Sequence, residues 1–192
     1  MSTNIEIEAK VLLNKEDFGK VLDTMHADQF RRIRQTNHYI DTDVQSLRRL
    51  GCALRIREKD DFVLTLKTPL SEGLLEKSQN ITWRQYEKLA KENIFPDGDI
   101  KLFLEILGIK VDDLRILTSL TTDRIDMPYK EGVLSLDCNH YSDTIDYEME
   151  MEQTSIQYAE SCLKEICELA KVPFVLNPNS KQARAMNALK KG

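Results

Sequence analysis

Near the start of the chain, Glu6, Glu8 and Lys10 alternate with Ile5, Ile7 and Ala9. In an extended strand that spacing turns two carboxylates and an ammonium to one face. The pattern recurs in Arg55 with Arg57, Thr65 with Lys67, Ser135 with Asp137, and Glu148 with Glu150 and Glu152. Any one such strand reads most simply as the wet face of a half-buried sheet. The set reads differently, because its charges are segregated by sign. One strand offers only arginine and another only glutamate, and three glutamates on one face repel unless a cation is present. If these faces converge, burying them dry costs several kcal/mol per ion, against a folding stability of about 5–15 kcal/mol. The shared interior must therefore hold water and a partner for its charge.

Paired carboxylates bind hard divalent cations such as Mg²⁺ or Mn²⁺ through oxygen. Arginine grips phosphate oxygens with its planar fork, and lysine as a point charge. A site with both suits a metal–polyphosphate complex, in which the metal offsets part of the anion's charge. The sequence has no GxxxxGK(S/T) and no GxGxxG, so side chains alone must hold the phosphates.

The elements that must position these residues alternate between two kinds. Residues 15–29 carry Phe18, Val21, Leu22 and Met25 at helical spacing behind an Asn14 cap. Further helices are expected over about 83–92, over 100–107 between an Asp99 cap and Gly108, and as a short piece at 112–117. The clearest covers 155–170, where Ile156, Ala159, Leu163, Ile166 and Ala170 form one apolar stripe closed by Pro173; a last helix starts near Ser180. Strands are expected over 5–13, 38–42, 53–58, 62–68, 73–83, 133–138 and 146–153, several joined by tight turns such as Lys59-Asp60-Asp61. No repeat or linker divides the 192 residues. The chain reads as a single α+β domain, an antiparallel sheet or barrel decorated by helices.

Composition narrows the function. With 41% apolar and 31% charged residues the chain can pack a core, and no run nears the roughly 18 apolar residues of a membrane span. The N-terminus lacks the basic end and apolar core of a secretory signal, so a cytoplasmic location is expected. A net charge of -5 gives no global field for nucleic acid or an anionic membrane. The 4 cysteines form no CxxC and no zinc spacing, and read as reduced thiols, with Cys162 and Cys167 packing in a helix.

Taken in order, these residues resemble the CYTH domain, the triphosphate tunnel metalloenzymes. Glu6-Ile7-Glu8-Ala9-Lys10 matches the ExExK signature, followed by Tyr39-Ile40-Asp41-Thr42, Ala53-Leu54-Arg55-Ile56-Arg57, Leu64-Thr65-Leu66-Lys67 and Glu76. Arg124, Leu134-Ser135-Leu136-Asp137, Tyr147-Glu148-Met149-Glu150 and Ser180-Lys181 continue the match. The resemblance implies a closed antiparallel β-tunnel of about eight strands with helices outside, and metal-dependent hydrolysis of a triphosphate. It implies that Arg55, Arg57, Lys67, Arg124 and Lys181 hold phosphate, with Lys10 beside them and Arg184 assisting from the next helical turn. Metal falls to two of Glu148, Glu150 and Glu152, with Glu148 and Glu150 favoured. Glu6 and Glu8 take a second metal or the attacking water, and Asp137 and Glu76 complete the acidic lining.

Relatives in this family act on inorganic triphosphate or thiamine triphosphate, remove RNA 5′ phosphates, or cyclise ATP as class IV-type adenylate cyclases. Thiamine triphosphatases carry a tryptophan where this chain has Ala53; the single tryptophan, Trp83, reads as a packing residue at a helix start. His38 and Tyr39 either face a ligand or, on the simpler reading, are strand residues packed against helices. Inorganic triphosphate asks for nothing beyond the charged tunnel and is the simplest substrate. A binding module for polyphosphate or nucleotide, without turnover, is the competing class. The acidic middle, about 84–120, reads as helical and either covers the tunnel or contacts a second subunit in a homodimer.

Overall fold

The opening run, one strand by its alternation, is two strands by its pairing. In the computed structural model, which describes residues 2–71 and 73–189, β1 (Ser2–Glu6) and β2 (Glu8–Leu13) part at Ile7. β1 pairs with β6 (Leu74–Ile81) and β2 with β9 (Thr144–Glu152), both antiparallel. Between them lie β3 (Arg32–Asp41), β4 (Ala53–Glu58), β5 (Phe62–Pro69), β7 (Arg115–Tyr129) and β8 (Gly132–Tyr141). The order is β1-β6-β5-β4-β3-β7-β8-β9-β2, so successive stretches of residues 2–13 form both outermost strands of one nine-stranded antiparallel sheet. The ninth strand, beyond the eight or so expected, arises from the division at Ile7, whose carbonyl accepts from the Gln153 N–H at 3.0 Å.

Apolar layers cover the sheet on one face and explain which way the charges point. α1 (Lys15–Thr24) and α5 (Ile156–Ala170) pack Phe18, Val21, Leu163 and Ile166 onto Val11, Leu136, Met149 and Met151. α3 (Trp83–Glu92) and α4 (Asp99–Ile106) pack Leu89, Ile100 and Leu104 onto Leu54, Ile56, Leu64 and Leu66. Each such side chain contributes roughly 1.5–3 kcal/mol on burial. Because strand side chains alternate, seating Leu54 and Ile56 under helices sends Arg55 and Arg57 to the opposite face. Met149 and Met151 do the same for Glu148 and Glu150. The short α2 (Ser46–Arg49) hangs on Asp41, whose carboxylate accepts from the N–H groups of Thr42, Leu47 and Arg48 at 2.8–3.1 Å. α6 (Lys181–Ala188) sits on the charged side, packing Ala185 and Met186 against Tyr39, Leu120 and Tyr141.

Several boundaries differ from the sequence reading. The first helix stops at Thr24, because His26 takes a left-handed conformation (φ 49°) and 27–29 is a separate 3₁₀ turn. At 112–117 there is no helix: one 3₁₀ turn at 111–113 leads into β7, at 15 residues the longest strand. The strand read at 38–42 begins at Arg32. Asp99 lies inside the first turn of α4 rather than capping it; Gly98 holds the cap position without a side-chain bond. Asn14 caps α1, its side chain accepting from Asp17 N–H at 2.8 Å. Among the described residues no helix is long and apolar enough to cross a membrane. Residues 190–192, within the stretch read as the last helix, lie outside the described residues.

Candidate active site

The charged faces of the strands converge on one cavity of about 700 Å³. Glu6, Glu8 and Lys10 enter it from residues 2–13, Arg55 and Arg57 from β4, and Lys67 from β5. Arg124, Glu150 and Glu152 enter from the far side of the sheet, and Lys181 from the first turn of α6. Glu76, Asp137, Glu148 and Arg184 stand behind this lining and are bonded to it or to one another.

One wall is a paired lattice of acid and base. Lys10 Nζ donates to Glu8 at 2.6 Å and to Glu150 at 3.0 Å. Arg124 places two N–H groups on Asp137, at 2.7 and 2.6 Å, and a third bond on Glu150 at 2.6 Å. Lys181 touches Asp137 at 2.9 Å, Glu150 at 2.7 Å and Glu148 as well. Behind it, Arg184 spans Glu148 at 2.7 Å and Asp146 at 2.8 Å, so it clamps a carboxylate outside the cavity. Lys67 bonds Glu6 and lies 3.6 Å from Glu76. Burial pushes the Glu150 carboxyl up, but Lys10, Lys181 and Arg124 outweigh it and hold the group well below the usual carboxylate range. Glu148, behind, is raised by burial. At the rim, burial and the negative charges of Glu6 and Glu8 raise Glu152.

The other wall is bare cation. Arg55 and Arg57 are adjacent on one face of β4, and neither forms an ion pair with any described residue. Arg55 Nε is buried with no hydrogen-bond partner among the described residues. Burial and the like charge of Arg55 lower the Arg57 pKa. An anion with several oxygens is what these groups lack.

The oxygen donors suit a hard cation. One carboxylate oxygen each from Asp137, Glu148 and Glu150 lies within 4.8 Å of the others. Lys181 supplies the compensating charge there. At the rim, Glu6 pairs with Lys67 and Glu8 with Lys10, and the charges of both repel Glu152.

Some lining residues escape the sequence reading. Tyr39 packs against a helix as read, on Ala185 and Met186 of α6, and it also faces the cavity opposite Arg55. Its neighbour His38 points outward as read: Nε2 lies 2.9 Å from Glu58, and the ring is 5.0 Å from Tyr86 of α3. Asn37, Asp126 and Gln182 also line the cavity, with Asp60 and Asp61 from the β4–β5 turn. Strand parity could have found Asn37 from Tyr39, had either face of β3 been apolar along its length. Trp83 packs on Phe62 and Tyr86 at 5.5 Å, away from the cavity, while Ala53 lines it.

The CYTH domain pattern matches residues 4–184. The chain belongs to the CYTH domain family. A Bacillus subtilis relative named YjbK, described as a candidate triphosphatase, is 33% identical over 174 residues, 90% of each chain. A solved candidate adenylate cyclase of Bacillus halodurans is 35% identical with a TM-score of 0.85, covering 95% of this chain and 98% of its own. An adenylyl cyclase candidate of Hippeastrum, described as having a dominant triphosphatase activity, shares the fold at 22% identity and a TM-score of 0.75, with 96% and 95% covered.

Proposed function

We propose that this CYTH chain hydrolyses a triphosphate, with inorganic triphosphate as substrate and Mg²⁺ or Mn²⁺ as cofactor, in a tunnel closed by residues 2–13. One continuous segment pairs with both β6 and β9, and that supports closure. The observation that carries the reading is the Arg55–Arg57 pair, without an ion-pair partner among the described residues, in the same cavity as a wall of paired carboxylates and cations. The naming of the Bacillus subtilis relative agrees with it.

Arg55 and Arg57 hold the outer phosphate oxygens. Lys10, Lys67, Arg124 and Lys181 already carry carboxylate partners, so they share their donors with phosphate and stabilise charge on the equatorial oxygens. Glu148 and Glu150, with Asp137, hold a divalent cation, which when bound neutralises anionic charge and aligns the phosphate chain. Glu6 and Glu8 take a second cation or orient water in line with the scissile bond. Ala53 in the cavity leaves no ring to stack on thiamine. The enzyme works as a cytoplasmic protein on a small molecule, and a homodimer is checked by sedimentation.

Cyclisation of ATP is the second reading. It is favoured by a cavity within the roughly 300–1,000 Å³ range of organic-ligand sites and by uncharged Tyr39 and Asn37 on its lining. A product assay with triphosphate, ATP and thiamine triphosphate, each with Mg²⁺ or Mn²⁺ and with chelator, separates these. Phosphate release from triphosphate that stops with chelator is expected. Cyclic nucleotide from ATP would move the assignment to the cyclase. Heat stabilisation by triphosphate with no phosphate released would make the chain a binding module.

A further inference from the structure

Among the described residues, Lys181 alone touches all three carboxylates of the compact oxygen set. Its Nζ lies 2.9 Å from Asp137 Oδ2 and 2.7 Å from Glu150 Oε1, and it also donates to Glu148 Oε1. Asp137, Glu148 and Glu150 are the same residues whose oxygens gather within 4.8 Å of one another. The ammonium thus sits among the donors that a divalent cation would use. Lys181 and all three acids are buried.

An ammonium and a divalent ion cannot share that space. Mg²⁺ draws carboxylate oxygens in to about 2.0–2.1 Å, and two positive charges side by side repel strongly where water does not screen them. Building on the metal-dependent reading above, we propose that Lys181 is the resident counter-ion of the cation site. The free chain takes up no divalent ion at Asp137, Glu148 and Glu150; the ion enters only with polyphosphate, whose oxygens draw the ammonium away. Replacing one ammonium by a divalent ion adds positive charge to a wall already holding Lys10 and Arg124, so the exchange is favourable only once an anion offsets it. Lys181 is built to move and its neighbours are not. Arg124 grips Asp137 through two N–H groups, and Arg184 ties Glu148 to Asp146, so the acids stay aimed. Lys181 ends a flexible four-carbon stem in a helical turn that lines the cavity with Ser180 and Gln182. Rotation of the stem swings the ammonium onto phosphate while Ala185 and Met186 keep α6 packed on Tyr39 and Leu120.

Mn²⁺ binding to the full chain, read from the loss of the free-ion paramagnetic resonance signal, tests this. Without polyphosphate, wild type and Glu148→Gln are expected to bind Mn²⁺ equally, because the buried set contributes nothing. Lys181→Met keeps the stem and removes the charge. It is expected to gain one equivalent, held roughly 10-fold or more tighter than wild type holds Mn²⁺ at these acids, and adding Glu148→Gln removes the gain. Thermal unfolding shows which variants are folded. Should Lys181→Met not fold, wild type still decides: a methylene-bridged, non-hydrolysable triphosphate is expected to add one equivalent of Mn²⁺ that Glu148→Gln lacks. Wild-type binding without polyphosphate that disappears in Glu148→Gln overturns the proposal, as does a folded Lys181→Met that gains nothing. Phosphate release from triphosphate and Mn²⁺ by the same wild-type sample reports separately on the hydrolase. Release alongside free-chain binding at Glu148 would refute the counter-ion role and leave the triphosphatase standing; no release would remove the triphosphatase itself.

Discussion

Lys10 and Glu150 face each other across the β2–β9 ladder, the ammonium 3.0 Å from the carboxylate. The contact joins the opening ExExK to the late acidic strand, and Arg124 and Lys181 complete a cage of three cations around one carboxylate. Glu150→Gln leaves those cations around a neutral amide. Removing one partner of a buried pair costs about 3–5 kcal/mol, so the variant is expected to unfold at clearly lower urea concentration as well as to lose turnover. An unchanged urea midpoint would show that the cage is not what holds this wall. Glu6→Gln is the cleaner catalytic variant, since Glu6 sits at the rim with Lys67 as its ion-pair partner.

The same cage sets a pH dependence. Folding holds the Glu150 carboxyl well below its ordinary range, so as pH falls through about 4.3 the unfolded chain takes up that proton first. The carboxylate's contribution is complete above that pH and is lost as pH drops toward its folded-state pKa. Glu148, raised by burial, runs the other way: its folded form gains protons earlier and offsets part of the loss. The stability gap between wild type and Glu150→Gln should therefore be constant near neutrality and shrink below about pH 4.3. Urea unfolding of both chains at stepped pH measures it. A gap that widens in acid would reverse the assignment.

Arg57 is expected to trade stability against binding. Its guanidinium is partly buried beside Arg55 with no ion-pair partner among the described residues, and burial with that like charge lowers its pKa. Arg57→Ala relieves the repulsion, so the ligand-free chain should melt no lower than wild type. A charged hydrogen bond to phosphate is worth about 1.5–3 kcal/mol, so KM for triphosphate should rise roughly 10- to 100-fold with a smaller effect on kcat. A KM within twofold of wild type would remove Arg57 from the substrate's grip.

The facing of Arg55, Arg57, Glu148 and Glu150 was legible in the sequence because each alternates with a strong apolar residue that must go under a helix. β7 was not legible. Its residues 121–126 are polar or charged on both faces apart from Ile125, and its pairing with β3 shifts register between Tyr39 and Ile40. Arg124 was therefore found through the family resemblance and not through periodicity. The division at Ile7 left no local mark either. Alternation runs unbroken from Ile5 to Lys10, and only the change of partner from β6 to β9 separates the two strands. Among Glu148, Glu150 and Glu152 the pattern is equal by sequence, and depth in the structure distinguishes them: buried behind the wall, caged in it, and exposed at the rim.

That division at Ile7 is also where backbone geometry reaches the chemistry. Gly73 has φ +77°, and a Cβ placed on it would lie 2.5 Å from the Glu6 carbonyl oxygen and 2.9 Å from Ile7 Cγ1. Alanine there carries the left-handed penalty of roughly 1–2 kcal/mol and must also push the Glu6 backbone aside. For a chain of this size each kcal/mol lowers Tm by about 2–4 °C, so Gly73→Ala should melt several degrees early. If the Glu6 carboxylate orients the nucleophile, its displacement should lower kcat for triphosphate. If Arg55 and Arg57 on β4 hold the substrate, KM should stay close to wild type. A variant that loses stability yet keeps full kcat would mean that the backbone at this turn does not set the position of Glu6, and the carboxylate's part in the reaction would have to be assigned to Glu8.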